Sequence, residues 1–414
     1  MLTKRFAAGL VLAFVLTLQG QAAGLQQKVQ VEGPTRLDWT YVLSDQSLPK
    51  VPADWLKNFD STKQTYDLFV PESYNASKPA GLILFVSAGN GPAGQKNFEA
   101  ACNKNNLLFA SPYNAGNGVD TKQRVRIVLD VLDDVRKKYN IDPDRTYIAG
   151  FSGGGRIACG IAFALPELFG GVIGVCASGN LRDEPYLRHR VMERLNVAFL
   201  TGENDFNRGE VERFRTPMLE GVGVEAKSWV FPGMGHAIPN AAQLQEVVDW
   251  LDQGVKKRQE LAKKFPASRL VGGKMLPARE EQAKALFAEG QKRMEQKETF
   301  YSGLMQLLTV MKRYRDLPIA KDATKILTKY DAMEDHHWKD DDIAEQRRFL
   351  LSEARAITAY ATGDLPKEYE PQRGNFAKEA LLRWNIIIKD APADSKVSEE
   401  AKKQIPVLQK LVKE

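Results

Sequence analysis

The 414-residue chain is poor in the side chains that build metal centres and cross-links: four histidines and three cysteines. Any chemistry that needs an imidazole must therefore draw on His189, His236, His336 or His337. Cys102, Cys159 and Cys176 have no metal-site spacing, and an odd count leaves at least one thiol unpaired. Each lies among apolar residues and reads as a small buried hydrophobe, so the fold should not depend on a disulfide framework. Beyond the N-terminus no apolar run is long enough to span a bilayer. The net charge of +6 is mild and both signs are interspersed, which gives no argument for nucleic acid as a partner. What remains is the composition of an ordinary soluble protein, with length for two or three domains.

The N-terminus departs from that background. Lys4 and Arg5 precede an apolar run from Phe6 to Leu18, followed by the small residues of Gln19-Gly20-Gln21-Ala22-Ala23. This reads as a secretory signal peptide over 1–23, cut near Ala22 or Ala23, and so as an exported protein, periplasmic or extracellular. The alternative is an uncleaved anchor. Residues 24–61 form an irregular N-terminal arm. In it Leu37–Leu43 suits an edge strand, and Trp39 and Trp55 suit anchors onto the main domain.

A regular rhythm covers 62–254. Short apolar strands (Thr65–Val70, Gly81–Val86, Leu107–Ala110, Tyr147–Ala149, Val172–Val175, Val197–Leu200, Ala226–Phe231) alternate with helical patterns, among them Thr121–Tyr139 and Ala241–Leu251. That predicts a mostly parallel sheet with helices on both faces, with ligands outside the carboxyl ends of the strands. After Gly254 the sequence turns strand-free and rich in Lys, Glu, Gln and Ala. It predicts an all-α helical-hairpin domain over 255–414 that supplies no catalytic group. The apolar stripe Leu304, Leu307, Leu308 and Met311 must be buried, among the tail helices or against the preceding domain. Phe376–Ile388 weakly resembles one helix of a tetratricopeptide repeat. The acidic and histidine cluster Glu334–Asp342 reads as a solvated loop rather than a preformed metal site.

One stretch carries chemistry. Gly150-Phe151-Ser152-Gly153-Gly154 follows a strand and opens a helix, the context in which a serine is held on a sharp turn as a nucleophile. A serine hydroxyl needs a base, and the base needs an orienting acid. In an α/β-hydrolase, whose elbow this stretch resembles, acid and base follow later strands in that order; His236 lies in the loop after the last strand, where such a base is expected, and His189 has nothing to mark it. Asp205 follows the preceding strand and is the first choice of acid, with Glu203 second. Oxyanion donors must be backbone N–H groups. The amide of Gly153 is one, and the loop after Val86 should give another: Gly89, with Ala88 or Asn90 as alternatives.

These residues carry a resemblance. The segment from about Thr65 to Leu251 resembles the serine-esterase branch of the α/β-hydrolase superfamily, in particular polyhydroxybutyrate-depolymerase-like and feruloyl-esterase-like enzymes. Gly150–Gly154 matches their elbow, Gly202-x-x-Asp205 their acid loop, and Gly233-Met234-Gly235-His236 with Pro239 their histidine loop. Such enzymes carry His-Gly after the third strand, where this chain has Ser87-Ala88. The resemblance implies an α/β-hydrolase fold and hydrolysis of small-molecule or polymeric esters through an acyl-enzyme, without cofactor or metal. The competing expectations are a peptidase using the same triad, and a catalytically silent binding module. In either case the helical tail is a candidate surface for a protein partner.

Overall fold

A computed structural model describes residues 23–333, 339–390 and 395–413. Eight strands form one sheet: β1 (Gly24–Gln30), β2 (Thr65–Val70), β3 (Ala80–Val86), β4 (Leu107–Pro112), β5 (Ile141–Phe151), β6 (Gly171–Val175), β7 (Asn196–Gly202) and β8 (Glu225–Phe231). Their order is β1-β2-β4-β3-β5-β6-β7-β8. β2 runs antiparallel to both of its neighbours, and every pairing from β4 through β3 to β8 is parallel. This is the mixed, mostly parallel sheet of the α/β-hydrolase fold.

The strands read as unbroken apolar runs because both faces are covered. Leu82, Leu84 and Val86 of β3 join one core, while Ile83 and Phe85 join the other. The first core is closed by α2 (Thr121–Lys138) and α3 (Gly153–Ala164), the second by α1 (Gln95–Asn105) and α6 (Ala241–Gln253). The helix ends follow from local chemistry. Asp120 caps α2 by accepting from Lys122 N, and Asn240 and Gln243 form a reciprocal capping box on α6. Two shorter helices, α4 (Pro185–Arg194) and α5 (Thr216–Val222), precede β7 and β8.

The arm corrects one expectation. Leu37–Leu43 is not an edge strand. Trp39, Thr40 and Tyr41 are buried consecutively, without the alternation of a half-buried strand, and Trp39–Val42 forms a 3₁₀ turn. Asp38 holds that turn by accepting from Thr40 Oγ1 at 3.0 Å. The edge strand is instead β1, whose exposed face gave no apolar signal. Trp39 and Trp55 meet edge to face, 5.8 Å between centroids.

The tail consists of α7 (Val255–Lys264), α8 (Arg279–Arg293), α9 (Lys297–Arg313), α10 (Pro318–Asp331), α11 (Lys339–Thr362), α12 (Arg373–Asp390) and α13 (Lys396–Lys413). Its apolar stripe divides. Leu304 and Leu308 pack into the sheet's first core, while Leu307 and Met311 pack among tail helices. Buried arginines cross the junction. Arg258 donates to Asp144 O, Asn196 Oδ1 and Leu251 O at 2.7–2.9 Å. Arg313 reaches Glu167 at 2.6 Å and Asp38 at 3.1 Å. Of the acidic and histidine cluster, 334–338 lie outside the described residues. Asp340–Asp342 open α11, where carboxylates complement the helix start.

Burial by itself would raise the Glu167 carboxyl, but Arg313 and Arg190 pull it from its ordinary 4.5 to about 2. A depressed acid contributes stability that is fully present above its unfolded value and is lost as pH falls through the folded one. Replacing Glu167 with Gln should therefore cost ~3–5 kcal/mol at neutral pH, the cost of removing one partner from a buried pair. The gap between the two proteins should narrow from about pH 4.5 down to about pH 2. Urea midpoints measured across that range check it; a gap independent of pH would contradict it.

Candidate active site

The turn from β5 into α3 is shaped by what its glycines lack. A Cβ on Gly150 would lie 2.5 Å from Gly154 C and O, and one on Gly154 would lie 2.1 Å from Val86 O. Their absence lets the start of α3 press against the ends of β5 and β3. Ser152 between them adopts φ +53° with ψ −124°, a positive-φ conformation that a non-glycine residue holds only where its surroundings enforce it. Its amide donates to Val175 O at 2.8 Å and its carbonyl accepts from Arg156 N at 3.2 Å. The serine is thus fixed to the neighbouring strand and to its own helix.

Parallel register brings the partners to the same edge. Phe151 pairs with Val175, Val175 with Leu200, and Gly202 with Phe231. From the loops beyond β7 and β8, Asp205 and His236 meet, with Nδ1 2.8 Å from Oδ1. Asp205 is buried, His236 partly exposed. Two further donors hold the carboxylate: Thr201 Oγ1 at 2.7 Å and Asn207 N at 3.1 Å. Burial would raise the Asp205 carboxyl; hydrogen bonds from His236, Thr201 and Asn207 outweigh it and keep the group below its usual range. At neutral pH it is a carboxylate, the form that orients an imidazole and stabilises its cation. Glu203 accepts from Gly233 N at 2.9 Å, tying the acid loop to the histidine loop. His189 points elsewhere, pairing with Glu193 at 3.4 Å beside Tyr301 of the tail.

The ring of His236 is held by two aromatics. Phe206 stacks on it at 4.2 Å and 23°, although more than half of that phenyl is exposed, and Phe151 lies at 4.9 Å. Among the described residues Ser152 Oγ makes no hydrogen bond to the imidazole, whose bond is to Asp205. Free hydrolases often close that contact only on a substrate.

The donors for an oxyanion differ in readiness. The amide of Gly153 opens α3 at a helix start. The amide of Gly89 donates to Ser87 Oγ at 3.1 Å. The loop carrying Gly89 is braced from 113–118: Asn117 N donates to Ala88 O at 2.9 Å and Asn114 N to Asn90 O at 2.7 Å. The Asn117 amide sits against Gly153, where a Cβ would come within 2.0 Å of its Oδ1.

Cys176, Asp205 and His236 bring one ligand atom each within 4.8 Å of one another. The Asp205 carboxylate already bonds Nδ1 of the imidazole, and the thiol bonds Ala237 O at 3.3 Å. Thr201, Asn207, Phe206, Cys176 and Asn117 carry no pattern in the chain that marks them as neighbours of the site; of these contacts only Phe151 lies inside a motif, the elbow. A groove of about 420 Å³ lies beside the acid loop, lined by Phe206, Arg208 and Arg213 and closed by Asp364, Leu365 and Pro366 of the tail.

The geometry separates the two acids. Asp205→Asn leaves the ring with the wrong tautomer and should lower turnover of an activated ester by ~10⁴-fold. Glu203→Gln should leave turnover nearly unchanged, since its partner is a backbone amide. Steady-state rates on purified variants decide; the reverse ranking would mean that the acid is misassigned.

No family model matches the chain. Over 221 residues it is 28% identical to a probable carboxylesterase SOBER1-like of Arabidopsis thaliana, covering 48% of this chain and 82% of that one. Among solved structures, a thermostable esterase aligns with 46% of this chain and 59% of its own (21% identity, TM-score 0.37). The fluorophosphonate-binding serine hydrolase FphF of Staphylococcus aureus aligns with 45% and 92% (17% identity, TM-score 0.36). A ferulic acid esterase aligns with 46% and 92% (15% identity, TM-score 0.35). The strand order and the strained elbow are those of the α/β-hydrolase fold, and about half of the chain is similar to a probable carboxylesterase.

Proposed function

We propose that the chain is an exported serine hydrolase that cleaves carboxylic esters through Ser152, His236 and Asp205. The observation that carries the reading is the 2.8 Å His236–Asp205 bond at the strand edge where Ser152 is held at positive φ. In this mechanism His236 Nε2 takes the Ser152 proton as Oγ adds to the ester carbonyl. The negative charge forms on the carbonyl oxygen, facing the amide of Gly153. Collapse breaks the bond to the alcohol, which leaves with the proton from His236. Water, activated by the same imidazole, then releases the acid from the acyl-enzyme. Export rests on Lys4, Arg5 and the apolar run from Phe6 to Leu18, all outside the described residues.

One observation favours a second reading, a catalytically silent fold that binds a ligand or partner: the Gly89 amide is already engaged by Ser87 Oγ. For Gly89 to serve an oxyanion, that hydroxyl must turn away. Labelling with a fluorophosphonate separates the two readings. An esterase is labelled at Ser152, and Ser152→Ala loses both labelling and turnover of a short p-nitrophenyl ester. A folded protein that takes up no probe supports the silent reading. Ser87→Ala removes the competitor for the Gly89 amide, so an esterase variant should label at least as fast as the parent; a loss of labelling would make the Ser87 hydroxyl itself part of the site.

A further inference from the structure

At the end of the sheet opposite the candidate active site, a cavity of about 410 Å³ is lined by Arg136, Asn140, Asp142, Gln259, Lys263 and Arg269, among others. Arg136, near the end of α2, is 3% exposed. Its one described hydrogen bond runs from Nη2 to Leu270 O, and Nη1 is buried with no partner. The loop beside it is shaped to the guanidinium: a Cβ on Gly272 would lie 2.0 Å from Arg136 Nε.

The nearest carboxylates are committed elsewhere. Asp133 is held by Arg36 at 2.8 Å and Lys137 at 3.3 Å. Glu167 is held by Arg190 and Arg313. Asp144 serves both Arg194 and Arg269. Asp142, on the cavity wall, accepts from Asp144 N at 2.9 Å, and burial raises its carboxyl toward the neutral form. Burial pushes the Arg136 guanidinium down to about 10; the more distant Asp133 and Glu167 act against that shift, while Arg36 and Arg194 add to it. A buried cation with no carboxylate in direct contact and an unpaired donor is costly, and the cost is relieved by an anion bound against it. Around Arg136 the cavity offers further donors in the Lys263 ammonium and the Gln259 amide; Arg269 and Asn140 also line it, with Asp144 and Ala76 O already as partners.

We propose that this cavity is a binding site for a compact oxyanion, a phosphate or carboxylate group, seated on Arg136 with Lys263 at the mouth. It is remote from Ser152 and does not depend on the proposed esterase activity. The ligand is either a free ion or the same group on a larger molecule.

Thermal melting of the full chain tests it, with inorganic phosphate, acetate or glycerol 3-phosphate replacing chloride at constant ionic strength. The expected result is a saturable rise of a few degrees with phosphate or acetate; a tighter response to glycerol 3-phosphate would identify the group as one carried on a larger molecule. Arg136→Met removes the unpaired charge, so it should melt higher than the parent without anion and lose the response. Lys263→Gln, at an exposed position, should keep the parent's melting and weaken the apparent affinity several-fold. No saturable rise with any of the three anions overturns the proposal, as does an undiminished response in Arg136→Met. If Arg136→Met does not fold, an unchanged affinity in Lys263→Gln overturns it.

Discussion

The contact between Gly154 and the carbonyl of Val86 sets the geometry of the candidate site. With 2.1 Å available for a Cβ at that point, only glycine lets the start of α3 reach the end of β3. That approach brings three things together: the serine on its strained turn, the helix start that can receive negative charge, and the loop that follows β3. The hydrogen bond from Ser152 N to Val175 O then ties this unit to β6, and the parallel register from β6 to β8 carries the acid and histidine loops to the same edge. Strain at Ser152 persists because the surrounding strands leave it no relaxed alternative.

The sheet was largely legible in the chain, since its strands are short apolar runs with punctuation between them, and β3 and β6 are buried on every residue. Ser152, Asp205 and His236, the residues of the proposed triad, stand out in the chain because each follows a strand in the order of nucleophile, acid and base that the α/β-hydrolase pattern has. The edge of the sheet was not. Exposed and two-sided, β1 has no apolar alternation to reveal it, while Trp39 and Tyr41 imitate a strand and are buried for another reason. The second layer of the site was also hidden. Thr201, Asn207 and Cys176 act through tertiary position, and a threonine or asparagine after a strand carries no mark of which carboxylate it will meet.

Composition marks a sharp change at Gly254, yet the packing is continuous there. The acid loop runs from Asp205 directly into a π-helical turn, Glu210–Arg215, and Phe214 of that turn stacks on Tyr360 of α11 at 5.3 Å. Arg156, four residues past Ser152, is bound through both nitrogens to Glu210 at 2.6–2.7 Å. The elbow, the acid loop and α11 therefore form one mechanical path. Single π turns concentrate where a helix is deformed for a functional reason, and here the deformation lies between the acid and the tail.

Arg313 has a consequence for the order in which the chain can fold. It joins Asp38 of the arm to Glu167 behind the sheet, across separations of 275 and 146 residues. During synthesis from the N-terminus, the arm and the strands emerge long before this guanidinium does. Until it arrives, Glu167 has Arg190 as its one ion-pair partner, and Asp38 lacks its distant partner. The sheet's back layer is thus held short of its final state until three-quarters of the polypeptide has left the ribosome. A nascent chain built this way locks late, and the segment that locks it lies outside the region resembling an esterase.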